Sequence, residues 1–415
     1  MPPLLLIVLI VLVDLMGFTI VMPLLPRYAD HYGFSRGQIG LLLAAFPLCQ
    51  LVAGPILGRL SDRYGRRPVL VASQFGTALS FVLLALAKDY PTMLLARALD
   101  GASGGNFLVA QAYIADVTPP ENRARSLGLI GAAFGLGFVL GPLLGGLLLD
   151  LPIDPDWQLR FPFLVAAGFS TIAWLLVLVF LPESTDAAGR ERARTLTWRG
   201  VLDVVRLPRV GRLVAIGALV TLAFAALEGT FSLYLKERLG WGPRRAAYGF
   251  AMLGLVGVVV QGGLLRRLVP RHGEPKLILA GLAMLALGLA GLAVVTGGGG
   301  LLLAAVLVGT GYGLASPTVA GLLSRLTPAA EQGAIFGVLA SAQTLARTVN
   351  YLGANALQGR FGSAAPYWEG AAVAAAGLAL AVVTLRGLRG AGSGAHRGPG
   401  AAVAVPGGDA PPAAG

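Results

Sequence analysis

Apolar residues in this chain follow neither the 3.6-residue stripe of a surface helix nor the alternation of a strand; they come in near-continuous runs of about twenty. These runs begin near Leu4, Gln38, Pro68, Thr92, Leu127, Phe161, Leu213, Ala246, Leu277, Leu301, Ile335 and Tyr367. At ~1.5 Å of rise per residue each spans a ~30 Å hydrocarbon core as an α-helix. The pattern therefore predicts an all-α membrane protein of twelve transmembrane helices, and the short alternating segments of a membrane barrel are absent.

A polar stretch from Pro182 to Arg212, with seven arginines, interrupts the runs midway. It divides the chain into a six-helix half at 1–182, a cytoplasmic linker at 183–212 and a second six-helix half at 213–388. The remainder, 389–415, is rich in Gly, Ala and Pro and is expected to be disordered. Within the linker, LTWRGVLDVV has amphipathic spacing that suits a surface-lying helix or a plain connection equally. The halves echo one another: GLLRRLVPRHGEPKL, from Gly263, follows the eighth run as GRLSDRYGRR, from Gly58, follows the second. The copy lacks a counterpart of Asp62 and is longer by about three residues. A half-length repeat is a mark of transporter architecture. Gly309, Gly311 and Gly313 in the tenth run lack nucleotide-fingerprint spacing and read as helix packing.

Composition agrees, with 56% hydrophobic and 13% charged residues in 415. The net charge of +12 raises the question of a nucleic-acid partner, but the basic residues are scattered over short loops and form no single patch. With a cytoplasmic N-terminus, 21 Lys and Arg fall in cytoplasmic segments, nine in external loops, and Arg97 and Arg347 inside helices. The positive-inside rule then puts both termini in the cytoplasm of a multi-pass cell-membrane protein. Cys49 is the only cysteine, and the three histidines, His31, His272 and His396, are far apart, so neither a disulfide nor a metal centre is expected. The first run has no basic leader and carries Asp14, so it is expected to be retained and not cleaved as a signal peptide. No Walker sequence and no Ser/His/Asp set can be assembled, which leaves enzyme chemistry with the least support.

The polar residues inside the runs are the candidate chemistry. Asp14 lies roughly 15 Å deep, near the bilayer midplane, where a carboxylate needs water, a partner or a proton. In the fourth run Arg97, Asp100, Gly104 and Gln111 fall within roughly 60° on a helical wheel, with Asn106 opposite. Arg97 and Asp100 suit either a transport role or a local ion pair. In the seventh run Glu228 shares a face with Thr221 and Ser232; it suits a cationic solute, a second proton or a pair with Arg347. In the eleventh, Gln343, Arg347 and Asn350 share a face beside Tyr351, with Asn355 off it, and suit cavity lining or a buried hydrogen-bond network. Tyr312 and Ser316 lie one turn apart, and Pro317 frees the carbonyl of Gly313. Gly137, Gly141 and Gly145 recur every four residues, giving a smooth face for close helix approach, and Pro142 allows a bend.

The segment GRLSDRYGRRPVL resembles the signature loop of the major facilitator superfamily, G-x-L-x-D-R-x-G-R-R-x-x-L, and is complete in Gly58, Leu60, Asp62, Arg63, Gly65, Arg66, Arg67 and Leu70. The resemblance runs on through DLMGFTIVMPLLP, LLARALDGASGG, AQAYIADVTPPENRARSLG and GLGFVLGPLLGG, and is similar to the tetracycline/proton and drug/proton antiporter branch. It implies proton-coupled export of small lipophilic or cationic solutes by alternating access. Asp14, Glu228 and Arg97 would couple protons; Asp14, Arg97, Gln111, Glu228, Tyr312, Gln343, Arg347 and Asn350 would bind solute. It further implies that helices 1, 4, 7 and 10 line one chamber, shared by Asp14, Arg97, Glu228 and Tyr312.

For the loop the resemblance implies gating by Gly58, Asp62, Arg63, Gly65, Arg66, Arg67 and Asp116. Asp62 would face the positive amino end of helix 11 and Arg66 would reach Asp116, latching the outward-open state. The spacing of Gly137, Gly141, Pro142 and Gly145 resembles the antiporter motif, which favours export. The implied partners are a small-molecule substrate, protons and membrane lipid, with no nucleic acid, no cofactor beyond the proton gradient, and a monomeric state. An uptake symporter or metabolite facilitator of the same fold, and a nontransporting membrane sensor or scaffold, are the competing expectations.

Overall fold

The computed structural model describes residues 2–119, 123–184, 208–327 and 332–392; the amphipathic stretch LTWRGVLDVV and the tail from residue 393 lie outside the described residues. The first half comprises α1 (Pro3–His31), α2 (Arg36–Tyr64), α3 (Arg66–Leu86), α4 in two pieces (Tyr90–Ser103 and Asn106–Val117), α5 (Arg123–Leu148) and α6 (Phe161–Phe180). The second comprises α7 (Pro208–Leu239), α8 (Pro243–Val258, continued by Val259–Leu264 and Leu265–His272), α9 (Glu274–Val294), α10 (Gly298–Arg325), α11 (Gln332–Phe361) and α12 (Ala365–Gly392). Ten of these are long and apolar enough to cross a membrane. The other two are special: α4 breaks at Gly104–Gly105, and α11 carries the polar stripe.

The two halves repeat one packing scheme. In the first, α1 lies on α5 and α6, and α3 on α6; in the second, α7 lies on α11 and α12, and α9 on α12. The junction between halves is symmetric too, with α2 against α11 and α5 against α8. The repeat extends to backbone conformation: Gly65 and Gly273 both take positive φ, 103° and 74°, where α2 and α8 hand over to α3 and α9. Left-handed φ is open to glycine at no steric cost. The α8 rod, at 30 residues, is one longer than the 29 of α2. A π-helical segment at Val259–Leu264 absorbs the difference, since a wider turn takes up an extra residue without breaking the helix.

Lipid tails are as apolar as leucine, so these helices are held by close-range packing and internal hydrogen bonds. Along α5, Gly137 abuts Leu15, Gly141 abuts Thr19 and Ile20, and Gly145 abuts Ile20 and Leu24 of α1. The Thr19 hydroxyl lies 2.7 Å from the carbonyl of Leu15 on its own helix and 2.7 Å from that of Gly137 on α5, tying the two helices at their closest approach. On α10, Gly311 meets the backbone of Gly281 and Leu285 of α9, while Gly309 and Gly313 meet Val256 and Val260 of α8.

The polar contacts between halves among the described residues all lie at the end away from Pro3 and the signature loop. Arg36 bonds both Asp30, at 3.0 Å, and Glu237, at 2.5 Å; Lys236 bonds Asp30 at 2.5 Å; and Arg244 pairs with Asp150 at 2.9 Å. Arg27, buried, donates to Ser232 Oγ at 3.2 Å and to the Trp241 carbonyl at 2.6 Å. An apolar cluster of Val21, Leu24 and Leu25 with Ala225, Leu233 and Tyr351 seals the same end. At the opposite end Gly58, Gly262 and Gly263 have open space where a side chain would sit. Among the described residues the halves are thus joined by polar contacts at the far end and by none at the signature end.

Two outcomes are expected. Gly141→Val forces a side chain into Thr19 and Ile20 and lowers stability by about 1–3 kcal/mol, read as a lower melting temperature in detergent; Gly131→Ala, which meets nothing within 4 Å, serves as the unaffected control. Asp30→Asn with Glu237→Gln removes the acids that hold Arg36 and Lys236. In a Cys49→Ser background, labelling of Val21→Cys by a hydrophilic maleimide added from the far side should then accelerate several-fold, and an unchanged rate would show that these pairs do not keep the end shut.

Candidate functional site

Beneath the closed end lies a chamber lined by Phe18, Val21, Met22 and Leu25 of α1, Leu43, Phe46, Pro47 and Gln50 of α2, Arg97 of α4, and Thr344, Arg347 and Tyr351 of α11. Helices 1, 2, 4 and 11 line it, a different set from the expected 1, 4, 7 and 10. Across the junction α2 packs directly on α11, and these two helices supply lining residues from both halves. Its aromatic side is built by Phe46 and Phe18, with ring centroids 5.1 Å apart, and the Arg97 guanidinium lies 4.9 Å over the Phe46 ring. Arg97 also bonds Asp100 at 2.6 Å, one turn along α4, with both side chains buried. Gln50 donates to the Gly104 carbonyl at 2.8 Å, satisfying a backbone group freed where α4 breaks.

Asp14 does not line this chamber. It turns into the first half, where Asn106 Nδ2 donates to Oδ2 at 2.8 Å and Ser170 of α6 donates to Oδ1 at 3.3 Å. Gln74 of α3 lies within bonding reach, and Asp100 within electrostatic reach. Asn106 does point away from Arg97, as the helical wheel requires; what it meets on that side is Asp14. The expected grouping of Asp14, Arg97, Glu228 and Tyr312 around one space is therefore replaced by two clusters and a chamber.

The second cluster belongs to the other half. Glu228 lies 3.1 Å from Arg347 and accepts a bond from the Tyr351 hydroxyl at 3.3 Å. The Arg347 Nε–H is not aimed at the carboxylate, so the pair is held by charge more than by hydrogen-bond direction. Tyr312 stacks on Phe224 at 4.0 Å between centroids and comes within bonding reach of Arg347 and Ser316. Of the α11 stripe, Arg347 and Tyr351 reach the chamber, and Gln343 lies beside Gly217 of α7. Asn350 departs from it: buried, it donates to Glu369 of α12 at 3.1 Å, which is the interhelical-network alternative. Gln111 sits half-buried on the second piece of α4.

At the signature loop Arg66 is the hub. It bonds Asp62 at 2.5 Å, Ser61 at 2.7 Å and Asp116 at 3.0 Å. Glu183, just past α6, accepts from the Arg66 and Arg67 amides at 2.9 and 3.2 Å and fills the space beside Gly65. Arg67 donates to the Leu178 carbonyl at 2.7 Å, and Arg63 lies over the Tyr64 ring. Among the described residues no hydrogen bond or ion pair leads from this loop to the second half. Asp62 is bonded to Arg66; its expected position facing the start of α11 involves residues 328–331, which lie outside the described residues.

Sequence reasoning missed Gln74, Ser170, Gln50, Glu183 and Glu369, and the far-end network of Arg27, Asp30, Arg36, Lys236 and Glu237. A polar side chain within or at the edge of an apolar run was the available signal for each. Among the described residues no group of three His, Cys, Asp or Glu is placed to hold a metal ion.

Comparison with known proteins places this geometry. The family model of the Major Facilitator Superfamily matches residues 7–350. The class C tetracycline resistance protein of Escherichia coli is 32% identical over 386 residues, 91% of this chain and 94% of that protein. The class B protein of Escherichia coli is 31% identical over 370 residues, 87% of this chain and 89% of that one. The crystal structure of the human organic anion transporter MFSD10 superposes with a TM-score of 0.69 at 24% identity, covering 91% of this chain and 98% of its own. With the signature loop, the repeated half and these matches across nearly all its length, the chain belongs to the major facilitator superfamily and is a multi-pass membrane protein, a secondary transporter and not an enzyme.

Proposed function

We propose that this transporter exports small lipophilic, drug-like solutes in exchange for protons, by alternating access, across the cytoplasmic membrane, as a monomer with both termini in the cytoplasm. The observation that carries the reading is the company kept by Asp14. Its hydrogen-bond partners are neutral, Asn106 and Ser170, whereas Asp100 is paired with Arg97 and Glu228 with Arg347. A carboxylate deep in a membrane without a cation exists most cheaply with a proton. Amide and hydroxyl partners can serve either protonation state, since each offers both donor and acceptor atoms. A group so placed takes and releases a proton at little structural cost, which is what coupling needs.

The similarity to tetracycline resistance proteins supports export. A proton moving inward gains ~2.3 kcal/mol per 100 mV, enough at one proton per uncharged solute for a roughly 50-fold gradient. In this scheme the signature end is the open side of an inward-open state. Closing it would bring Asp62 and the Arg66 hub against the second half as the far-end ion pairs separate. The cationic arm of the substrate expectation needs a free carboxylate at the chamber, and Asp14 and Glu228 are both engaged elsewhere.

Asp14→Asn should abolish proton-coupled transport while leaving membrane insertion and expression unchanged, measured as proton-driven solute flux in proteoliposomes; retained coupling would take the proton role from Asp14. In inverted vesicles, an inside-acid gradient should drive a transported solute inward, and uptake indifferent to that gradient would remove export by proton exchange.

A further inference from the structure

The formally charged side chains that line the chamber are Arg97 from one half and Arg347 from the other; no carboxylate lines it. The acids that neutralise them, Asp100 and Glu228, are not among its lining residues. Neither guanidinium is saturated. Arg97 spends Nη1 on Asp100, and Arg347 sets Nε against Glu228 with Tyr312 within reach; the two Nε atoms are buried, and the donors left for the chamber are the remaining terminal Nη groups. A guanidinium carries five N–H donors and no acceptor. The chamber therefore presents surplus charged donors from two opposed sides, next to the aromatic faces of Phe18 and Phe46, with only the neutral oxygens of Gln50, Thr344 and Tyr351 to set against them.

Resting on the transporter reading above, we propose that the chamber recognises organic anions: an acidic group, carboxylate or enolate, held between Arg97 and Arg347, on a flat aromatic body. Such a group satisfies the open N–H donors of both halves at once, in the geometry that guanidinium–carboxylate pairs prefer. A cation would meet two like charges and find no acid. The volume fits the charged part of the solute. At about 40 Å³ the cavity holds a carboxylate-sized group and is far below the few hundred Å³ of a whole drug site. The aromatic body then needs room outside this volume, next to the Phe18 and Phe46 rings. An anion bridging Arg97 and Arg347 joins the two halves, so its arrival and departure bear directly on their relative position.

The test is equilibrium binding of three probes with one ring system to the purified full-length protein in detergent: 1-naphthoate, 1-naphthylmethylammonium and the neutral 1-naphthalenemethanol. Naphthoate should bind about tenfold or more tightly than the ammonium probe, as charge-assisted bonds to two guanidiniums require. The neutralised pairs Arg97→Gln with Asp100→Asn, and Arg347→Gln with Glu228→Gln, remove the cation without stranding its acid. Each should cost about tenfold in naphthoate affinity and leave the alcohol within about twofold. Arg97→Lys and Arg347→Lys should keep part of the preference. Tighter binding of the ammonium probe, no discrimination among the three, or loss of all three equally in the neutralised pairs would overturn the assignment. Binding in detergent needs no gradient, so failure here leaves proton-driven export standing, and gradient-indifferent vesicles would leave the anion site standing.

Discussion

A charge inside hydrocarbon has no water to turn to, and the architecture of this protein is organised by that one constraint. Several kcal/mol per ion oppose burial unless another part of the chain supplies the partner. Arg97 finds Asp100 a turn away, Glu228 finds Arg347 across from α7 to α11, and Asp14 finds Asn106 and Ser170 on α4 and α6. These pairings dictate which helix faces turn inward. They also separate the acids into two kinds, those spent on an arginine and the one in α1 held by neutral groups.

Packing follows from the same solvent. With no hydrophobic force between helices in lipid, contact depends on backbones approaching closely, and glycine permits it. The α1–α5 seam through Gly137, Gly141 and Gly145 and the α9–α10 seam through Gly281, Gly288 and Gly311 are made this way. Each half becomes a stiff unit, and the two depart from symmetry in α4 and in α8. The break in α4 falls between Arg97, which faces the chamber, and Asn106, which bonds Asp14, and a π-helical segment interrupts α8.

Stiff halves need a junction that is cheap to exchange. The far-end pairs between Asp30, Arg36, Lys236 and Glu237 are partly exposed, and such pairs contribute only about 0–1 kcal/mol each. A closure built from a few of them, over a modest apolar seal, holds one end shut without locking it. A proton on one carboxylate, or a solute bound across both halves, is of comparable size and can shift the balance.

The sequence alone determined what depends on local composition and membrane thickness: twelve runs long enough to span, a half-length repeat, a complete signature loop, and glycines spaced for close approach. These are legible because a bilayer imposes a length and a polarity that each segment must meet by itself. Arg97 with Asp100, at three-residue spacing, was legible for the same local reason. Tertiary structure decided the rest. Asp14 with Asn106 and Ser170 joins residues 92 and 156 positions apart, and no periodicity encodes such a meeting. The family resemblance implied one chamber for Asp14 and Glu228, and the helical wheel left Asn350 between cavity and network, because a wheel shows which residues share a face and not which neighbour that face meets. Which end is closed also lies beyond it, since both states use the same residues and differ only in which partners are within reach.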